Sequence, residues 1–504
     1  MNPLRDAPPL PVDLLRRSLV FHFRSRWSRG QNRPTLRLMG KIAIFSGSFN
    51  PPGSHHRLVV EALIPHFDKI IVFPCGPRPD QPTTNDVDPW HRGALTDIVF
   101  RGLDKVEVDL SDLERSQFTT NDQFAERYGH LGELWHVIGS DLSKGGGTGQ
   151  SVIHRAWERG AEMWTSLNFC VVARAGFQVT QDDLPPKSRV IPLGSPNSSA
   201  SSEIRERIFK RQPYHEFVPQ EVRAYIERYG LYRGRIPARR TNWQVGTPRV
   251  LLVADPRNPK AQALAESLRE WEDTENPNCV VVLGGDGTML GAIREHWRRR
   301  VPFLGINHGH LGFLLNEPEM VPPERLGETD FIVRQMPMLY VETETPDGTK
   351  SNHLAFNDAW LERSTSQSAW IEVSVNDDLR IPKLVADGVL TCTAAGSTAY
   401  ARSMGVAPLL ADTPGWILVG SNVMSPVGWK SALLAPETTV LMRSLGGEKR
   451  PLTAYVDGRS AGPVTNFRVR QSRIATVELA FSTKRDMAEK IARIQFPENA
   501  AGLI

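Results

Sequence analysis

The chain has 504 residues, 40% of them hydrophobic and 23% charged, with a formal net charge of +4. That length allows about two to four domains, and the apolar share is ample for proper cores. No run of about 18 apolar residues occurs, so no membrane span is expected. The 12 Trp residues do not cluster with basic residues into a stacking face, so nucleic acid is not an expected partner.

The first 38 residues hold eight Arg against Asp6 and Asp13, a local +6, so everything after them nets −2. Leu14, Leu19, Phe21, Phe23 and Trp27 are interleaved with those arginines. Three readings stay open for this basic extension: an amphipathic surface or targeting helix, a disordered arm, or a stretch upstream of a true start at Met39.

Lys41–Phe45 (KIAIF) reads as an apolar strand that passes through Gly47–Leu58 (GSFNPPGSHHRL) into a helix. Gly47 and Ser48 are small enough for backbone to approach a phosphate. A histidine at the helix start adds a donor where the helix dipole favours anions. His136–Leu142 (HVIGSDL) is a strand ending in Gly-Ser-Asp. Further on, Ser201–Ile208 (SSEIRERI) reads as a helix start offering hydroxyls, free N–H groups and an arginine.

In this order the segments resemble the nicotinamide and nicotinate mononucleotide adenylyltransferases. Those carry Gly-x-Phe-x-Pro followed by His-x-x-His, a Gly-x-Asp turn, and a Ser-Thr-x-Ile-Arg helix start. The resemblance implies a Rossmann-like nucleotidyltransferase domain over 39–232, closed by the helix within Val218–Tyr232. It implies that His56 and Arg205 stabilise the transition state, with Arg205 on the β,γ-phosphates of ATP. Gly47, Ser48, Phe49, Gly139, Asp141, Ser201 and Ser202 would contact the nucleotide. The first histidine of the pattern falls at Gly53, which supplies no donor, and the adjacent His55 is the candidate substitute. The mononucleotide phosphate would attack the α-phosphorus of ATP in line, and pyrophosphate would leave bound to Mg²⁺.

Two stretches between the larger elements read as connectors. Lys144–Ser151 (KGGGTGQS) lacks a Walker ending and reads as a flexible surface loop. Residues 233–247 (RGRIPARRTNWQVGT) are polar, basic and carry a Pro, as a linker should.

A fresh α/β unit starts at Arg249–Asp255 (RVLLVAD), followed by a helix at Lys260–Trp271. Val280–Leu283 then reads as a buried strand running into Gly284-Gly285-Asp286-Gly287-Thr288 and a helix over Met289–Trp297. Three glycines clear space for phosphate against backbone N–H groups, and Asp286 is placed to bind Mg²⁺ or take a proton from an attacking hydroxyl. Downstream come Pro302–Leu314 (PFLGINHGHLGFL), Phe356–Arg363 (FNDAWLER) and Ala386–Ser403 (ADGVLTCTAAGSTAYARS).

The glycine-rich turn resembles NAD kinases and the lipid kinases distantly related to them, and the three later segments resemble NAD kinases alone. The resemblance implies that Asp286 activates the 2′-hydroxyl of the adenosine ribose. Gly284, Gly285, Gly287 and Thr288 would lie against phosphates, and Asn357 and Asp358 would hydrogen-bond the dinucleotide. Asp387, with Thr398, Ala399, Tyr400, Ala401, Arg402 and Ser403, would line the pocket for its nicotinamide and ribose ends. Asp457-Gly458 resembles a late family turn close by. The run Thr393-Ala394-Ala395 departs from the family's Thr-Pro-Thr.

The expected fold class is therefore α/β: a Rossmann-like front domain, then a kinase-like part over 248–504 that is α/β to about 316 and mainly β after. Arg298-Arg299-Arg300 reads as a solvated helix end. His308 and His310 read as part of a loop packed beside Asp286, with no certain metal site. The four Cys are scattered and suggest a reducing cytosol.

The expected function is bifunctional: adenylyl transfer from ATP to a mononucleotide, then phosphorylation of NAD to NADP, with Mg²⁺ arriving on the phosphates. The alternative is a kinase whose front half acts on another phosphate substrate or serves as a weakly active nucleotide-sensing module. Expected partners are small molecules (ATP, mononucleotide, NAD), with a homo-oligomer through the kinase half.

Overall fold

Six apolar runs between residues 41 and 192 form one parallel sheet: β1 Lys41–Gly47, β2 Lys69–Pro74, β3 Val106–Val108, β4 Glu133–Gly139, β5 Asn168–Ala173 and β6 Ser188–Pro192. Their order is β3-β2-β1-β4-β5-β6, that of a doubly wound sheet whose direction of winding reverses between β1 and β4. Side chains alternate across it. Ile42 and Ile44 pack with Ile71, Phe73 and Phe124 on one face, while Ala43 joins Ile70, Val72 and Val137 on the other. Helices α1 Ser54–Leu63, α2 Pro89–Phe100 and α3 Ser111–Arg115 follow β1, β2 and β3. The computed structural model describes residues 40–78, 86–173, 180–193, 200–483 and 487–496, so the basic extension lies outside the described residues.

The second half holds β7 Arg240–Trp243, β8 Val250–Ala254, β9 Cys279–Gly284, β10 Phe303–Asn307, β11 Phe331–Glu344, β12 Lys350–Ala355, β13 Asp358–Arg363, β14 Ala369–Val375, β15 Asp378–Ala386, β16 Gly388–Cys392, β17 Trp416–Ser421, β18 Ser431–Leu434, β19 Thr439–Ser444, β20 Leu452–Val456, β21 Arg459–Val464 and β22 Asn466–Ser482. One sheet runs β15-β14-β19-β22-β10-β9-β8, with β11 antiparallel to β22. The other runs β18-β17-β16-β13-β20-β21. Leu361, Val389, Leu418 and Ala454 of this second sheet share a core with Leu339, Ile371, Val440 and Val469 of the first, so the two pack face to face.

Four expectations need correcting. The expected linker carries β7, which pairs antiparallel with β11 from Phe331↔Trp243 to Arg334↔Arg240. Trp243 packs on Phe331 with ring centroids 6.0 Å apart, and a four-residue strand of polar residues around one Trp leaves no readable alternation. The boundary near 316 is also not clean. β22 returns to lie parallel to β10 (Phe303↔Leu479, Leu304↔Ala480), so a strand late in the chain completes the α/β sheet. Thirdly, Lys144–Ser151 is a folded turn: the Gly145 N–H donates to Asp183 Oδ1 at 2.9 Å, and a Cβ on Gly146 would meet Trp164 at 2.3 Å.

The fourth concerns Arg298–Arg300: Arg298 and Arg300 reach Asp97 of the front half, while Arg299 donates to the Glu275 carbonyl at 3.0 Å. Asp97 on α2, with a side chain 5% exposed, pairs with Arg298 and with Arg300 Nε at 2.9 Å. Glu114 on α3 pairs with Arg470, accepts from the Ser472 hydroxyl at 2.6 Å and from the Arg473 N–H at 3.2 Å. Glu478 on β22 pairs with Arg228 of the helix Gln220–Tyr229. Three buried carboxylates thus find their cations across the junction of the halves. Taking away one partner of such a pair leaves an uncompensated buried charge.

Candidate active sites

The front site is a cavity of about 700 Å³ at the carboxyl ends of β1 and β4, where a doubly wound sheet leaves a crevice. Gly47, Ser48, Phe49, His55, His56, Gly139 and Asp141, all expected from the sequence, line it. Phe49 is buried with φ +43, and its ring packs against Phe45, Phe100 and His56 at 5.2 to 5.6 Å. The Gly53 N–H donates to His56 Nδ1 at 3.0 Å. A neutral His56 therefore carries its proton on Nε2, the form that can donate to a phosphate oxygen.

The absence of a side chain at Gly53 has a steric reason. A Cβ there would stand 2.9 Å from the Phe217 carbonyl and 2.8 Å from His55 Nδ1. His55 stacks beside His56 with ring centroids 3.8 Å apart, so both imidazoles face the cavity from one helix turn.

Arg205, Ser201 and Ser202 are not among the cavity-lining residues. They start the helix Ser201–Phe209. The Ser201 hydroxyl donates to the Pro51 carbonyl at 2.9 Å, and Arg205 donates to the Asn50 carbonyl at 2.6 Å with Asp86 at 3.6 Å. Ser201 and Arg205 thereby brace the loop between β1 and α1. Sequence reasoning missed Arg78, Phe118, Thr119, Asn121 and Trp157 among the lining residues. It also missed the buried Arg92 behind the loop, whose only signal is the one arginine in the largely buried helix PWHRGALTDIVF.

In the second site, β9 ends at Gly284 and the helix Asp286–His296 begins two residues later. A Cβ on Gly284 would come 2.5 Å from Thr288 Oγ1, and Gly309 crosses so close that its Cβ would lie 3.2 Å from Gly285 Cα. Gly287 faces open space. The His308 N–H donates to the Gly284 carbonyl at 2.8 Å, so the His308–Leu314 loop folds over the glycine turn as expected. The two oxygens of Asp286 accept from the Phe313 and Leu314 N–H groups at 3.1 and 2.9 Å. These bonds orient the carboxylate and leave it further lone pairs.

Two turns along the same helix, Arg294 donates to the Asp457 carbonyl at 3.4 Å, which ties this element to a second acidic group. Asp457, at φ +45, accepts from the N–H groups of Phe356, Asn357 and Asp358 at 2.8 to 3.2 Å. Burial, and next the Asp457 charge, push the Asp358 carboxyl up to about 7. Burial also raises Asp457, against those N–H bonds. Asn357 is buried and its Oδ1 has no hydrogen-bond partner, a cost that a donor from a ligand would remove.

Thr393 caps this corner through its hydroxyl bond to the Phe356 carbonyl at 2.6 Å. Gly396 is obligatory there, because a Cβ would meet the Asn357 carbonyl at 2.0 Å. Ala394 and Ala395 pack with Met289 and Leu314, so the Thr-Ala-Ala run is part of the core under the Asp286 loop.

Thr398 is buried and donates to the Ala395 carbonyl at 3.0 Å. Ala399, Tyr400, Arg402 and Ser403 are exposed, whereas Ala401 is buried, and the Tyr400 ring stands edge-on to Trp360 at 5.1 Å. Asp387 is not brought to Asp358. It sits at the opposite end of the β13/β16 ladder, about 15 Å along the strand, paired with Arg363 at 2.6 Å. Among the described residues no three His, Cys, Asp or Glu side chains gather as a metal-holding group.

Residues 250–328 match the family model described as ATP-NAD kinase N-terminal domain. An NAD kinase of Zymomonas mobilis is 32% identical over 255 residues, covering 49% of this chain and 97% of the relative. One from Brucella suis is 35% identical over 224 residues, covering 44% and 86%. Among solved structures, yeast NADH kinase complexed with NADH is similar with a TM-score of 0.40 and 17% identity, over 50% of this chain and 79% of that one. Through its second half, this chain belongs to the NAD kinase family.

Proposed function

We propose that the second half phosphorylates NAD to NADP and that the front half makes the dinucleotide by adenylyl transfer from ATP to nicotinamide or nicotinate mononucleotide. What carries the kinase reading is Asp286, held by two backbone N–H groups at the start of a helix in a glycine turn open at Gly287. Asp286 takes the proton of the 2′-hydroxyl as its oxygen bonds to the γ-phosphorus and the bond to the ADP leaving group breaks. Buried Asn357 offers an acceptor to the dinucleotide, and Asp358, its carboxyl raised to about 7 by burial, offers a donor when it holds its proton. Mg²⁺ would arrive bound to the phosphates of the donor nucleotide. It would neutralise phosphate charge.

For the front half, the supporting observation is the switch-point cavity with His56 in a donor tautomer beside Gly139 and Asp141. Its volume suits a mononucleotide and part of ATP. A second reading, a front half that binds nucleotide without turning it over, is favoured by one observation: Arg205 bonds to the Asn50 carbonyl and lies outside the cavity.

Chromatography of products after incubation with Mg²⁺, ATP and either mononucleotide tests both halves. NADP from nicotinamide mononucleotide is the expected result. Formation of NADP from added NAD, with no dinucleotide from either mononucleotide, would leave the kinase reading standing and remove the adenylyltransferase one.

A further inference from the structure

We infer that Arg92 is a positioning residue of the front site, one that turns the Ser48–Phe49 backbone into an anion-binding nest; this rests on the adenylyl-transfer reading above. Arg92 is 1% exposed, and three of its bonds run to main-chain carbonyls. Nε and Nη2 donate to the Ser48 carbonyl at 3.1 and 2.6 Å, and Nη2 donates to the Cys75 carbonyl at 2.7 Å. The preceding carbonyl, that of Gly47, accepts from the Cys75 N–H at 2.9 Å.

Two successive carbonyls are thus drawn back into the protein. In a trans peptide the N–H points opposite to the C=O, so the N–H groups of Ser48 and Phe49 turn the other way. Both residues line the cavity. Consecutive N–H groups beside a left-handed residue, here Phe49 at φ +43, form a concavity suited to a phosphate oxygen. A non-glycine residue held at positive φ carries strain, and it persists only where its surroundings over-determine it. The guanidinium on Ser48 and the ring contacts of Phe49 are those surroundings. The cation also stands directly behind the donors, adding positive potential in a buried setting.

Arg92 is itself fixed from two sides. Its helix, α2, is held by the His91 Nδ1 contact to the Tyr225 hydroxyl at 3.0 Å and by the Asp97 bonds to Arg298 and Arg300. Arg92 is not one of the residues that line the cavity, and its bonds to the Ser48 and Cys75 carbonyls act on residues that do.

The test compares wild type, Arg92→Lys and Arg92→Gln, each in full-length protein. Dinucleotide formation is followed with ATP and mononucleotide varied separately, and NADP formation from added NAD reports on the fold of the same molecules. Arg92→Gln should lower kcat/KM for ATP by about 10- to 100-fold, as loss of preorganised donors does. Arg92→Lys should recover part of that loss. NADP formation should stay near wild type, because the kinase site does not depend on the nest. An unchanged kcat/KM for ATP in both variants would overturn the inference. So would an equal fractional loss of both activities, which would assign Arg92 to stability alone. If wild type itself forms no dinucleotide, the adenylyltransferase reading falls and takes this inference with it.

Discussion

The chain builds a strand, a glycine-bearing loop and a helix twice, and stiffens the two loops by opposite means. The Gly47–Gly53 loop is braced from behind: Arg92 pulls on Ser48, Arg205 on Asn50, and Tyr232 donates to Asn50 Oδ1 at 2.7 Å. The Gly284–Thr288 turn is braced from above by backbone, with His308 on Gly284 and the Phe313 and Leu314 N–H groups on Asp286. Buried side chains anchor a loop to distant helices, so its shape depends on the whole domain. A backbone cover is local, so the second loop keeps its shape as long as β9 and β10 stay paired.

The largest expected effect falls on the locally braced loop. Asp286→Ala should cut NADP formation from NAD by about 10² to 10⁴, the contribution of a positioned base, and leave dinucleotide formation from mononucleotide intact. Loss of both activities would mean that the two loops are not independent and would break the comparison. His56→Ala should lower dinucleotide formation by about 10² to 10³ with NADP formation from NAD unchanged; unchanged dinucleotide formation would remove His56 from the mechanism.

The junction sharpens the contrast. Asp97→Ala leaves Arg300, itself buried, without its carboxylate, and should destabilise the protein by about 3–5 kcal/mol in denaturant melts. Because α2 carries both Asp97 and Arg92, dinucleotide formation should fail at a lower temperature than NADP formation. Coincident failure would show that the kinase loop leans on the junction as heavily.

The smallest effect concerns Asp358. Its carboxyl holds a proton up to about pH 7 in the folded chain, against the ordinary aspartate value of 3.8 when unfolded. The folded state therefore binds more protons between those values. Its contribution is fully present below about pH 4 and is lost as pH rises through about 7. Asp358→Asn should flatten that decline and stabilise the protein at pH 8 by about 1–3 kcal/mol while weakening NADP formation. A pH–stability curve that keeps its slope in the variant would place the titration elsewhere.

Loops attached to long apolar strands were legible in the sequence, because KIAIF and VVVL announce burial and the glycines after them announce close backbone approach. The elements that hold those loops were not. Arg92 looks like an ordinary helix cation until its carbonyl partners, 17 and 44 residues away, are folded onto it. Arg298–Arg300 read as a solvated end because Asp97 lies some 200 residues earlier. β7 was hidden by its shortness. At Gly53 the residue type was noted, yet its cause is the Phe217 carbonyl on a distant segment. Asp387 was assigned to the pocket by resemblance alone, and its place at the other end of the β13/β16 ladder from Asp358 could not be read from the sequence.

β22 has a consequence for biosynthesis. β11 pairs along its whole length, β19 with its first half and β10 with its second, and between them Arg470–Arg473 hold Glu114 of the front half. A ribosome delivers this strand only after the front sheet and β10 have long emerged. The front sheet, complete by Pro192, can fold while translation continues, whereas β10 waits for its neighbour and Glu114 for its arginine. A nascent chain stalled before Asn466 would hold a finished first sheet beside an open edge at β10, the state in which a chaperone would meet this protein.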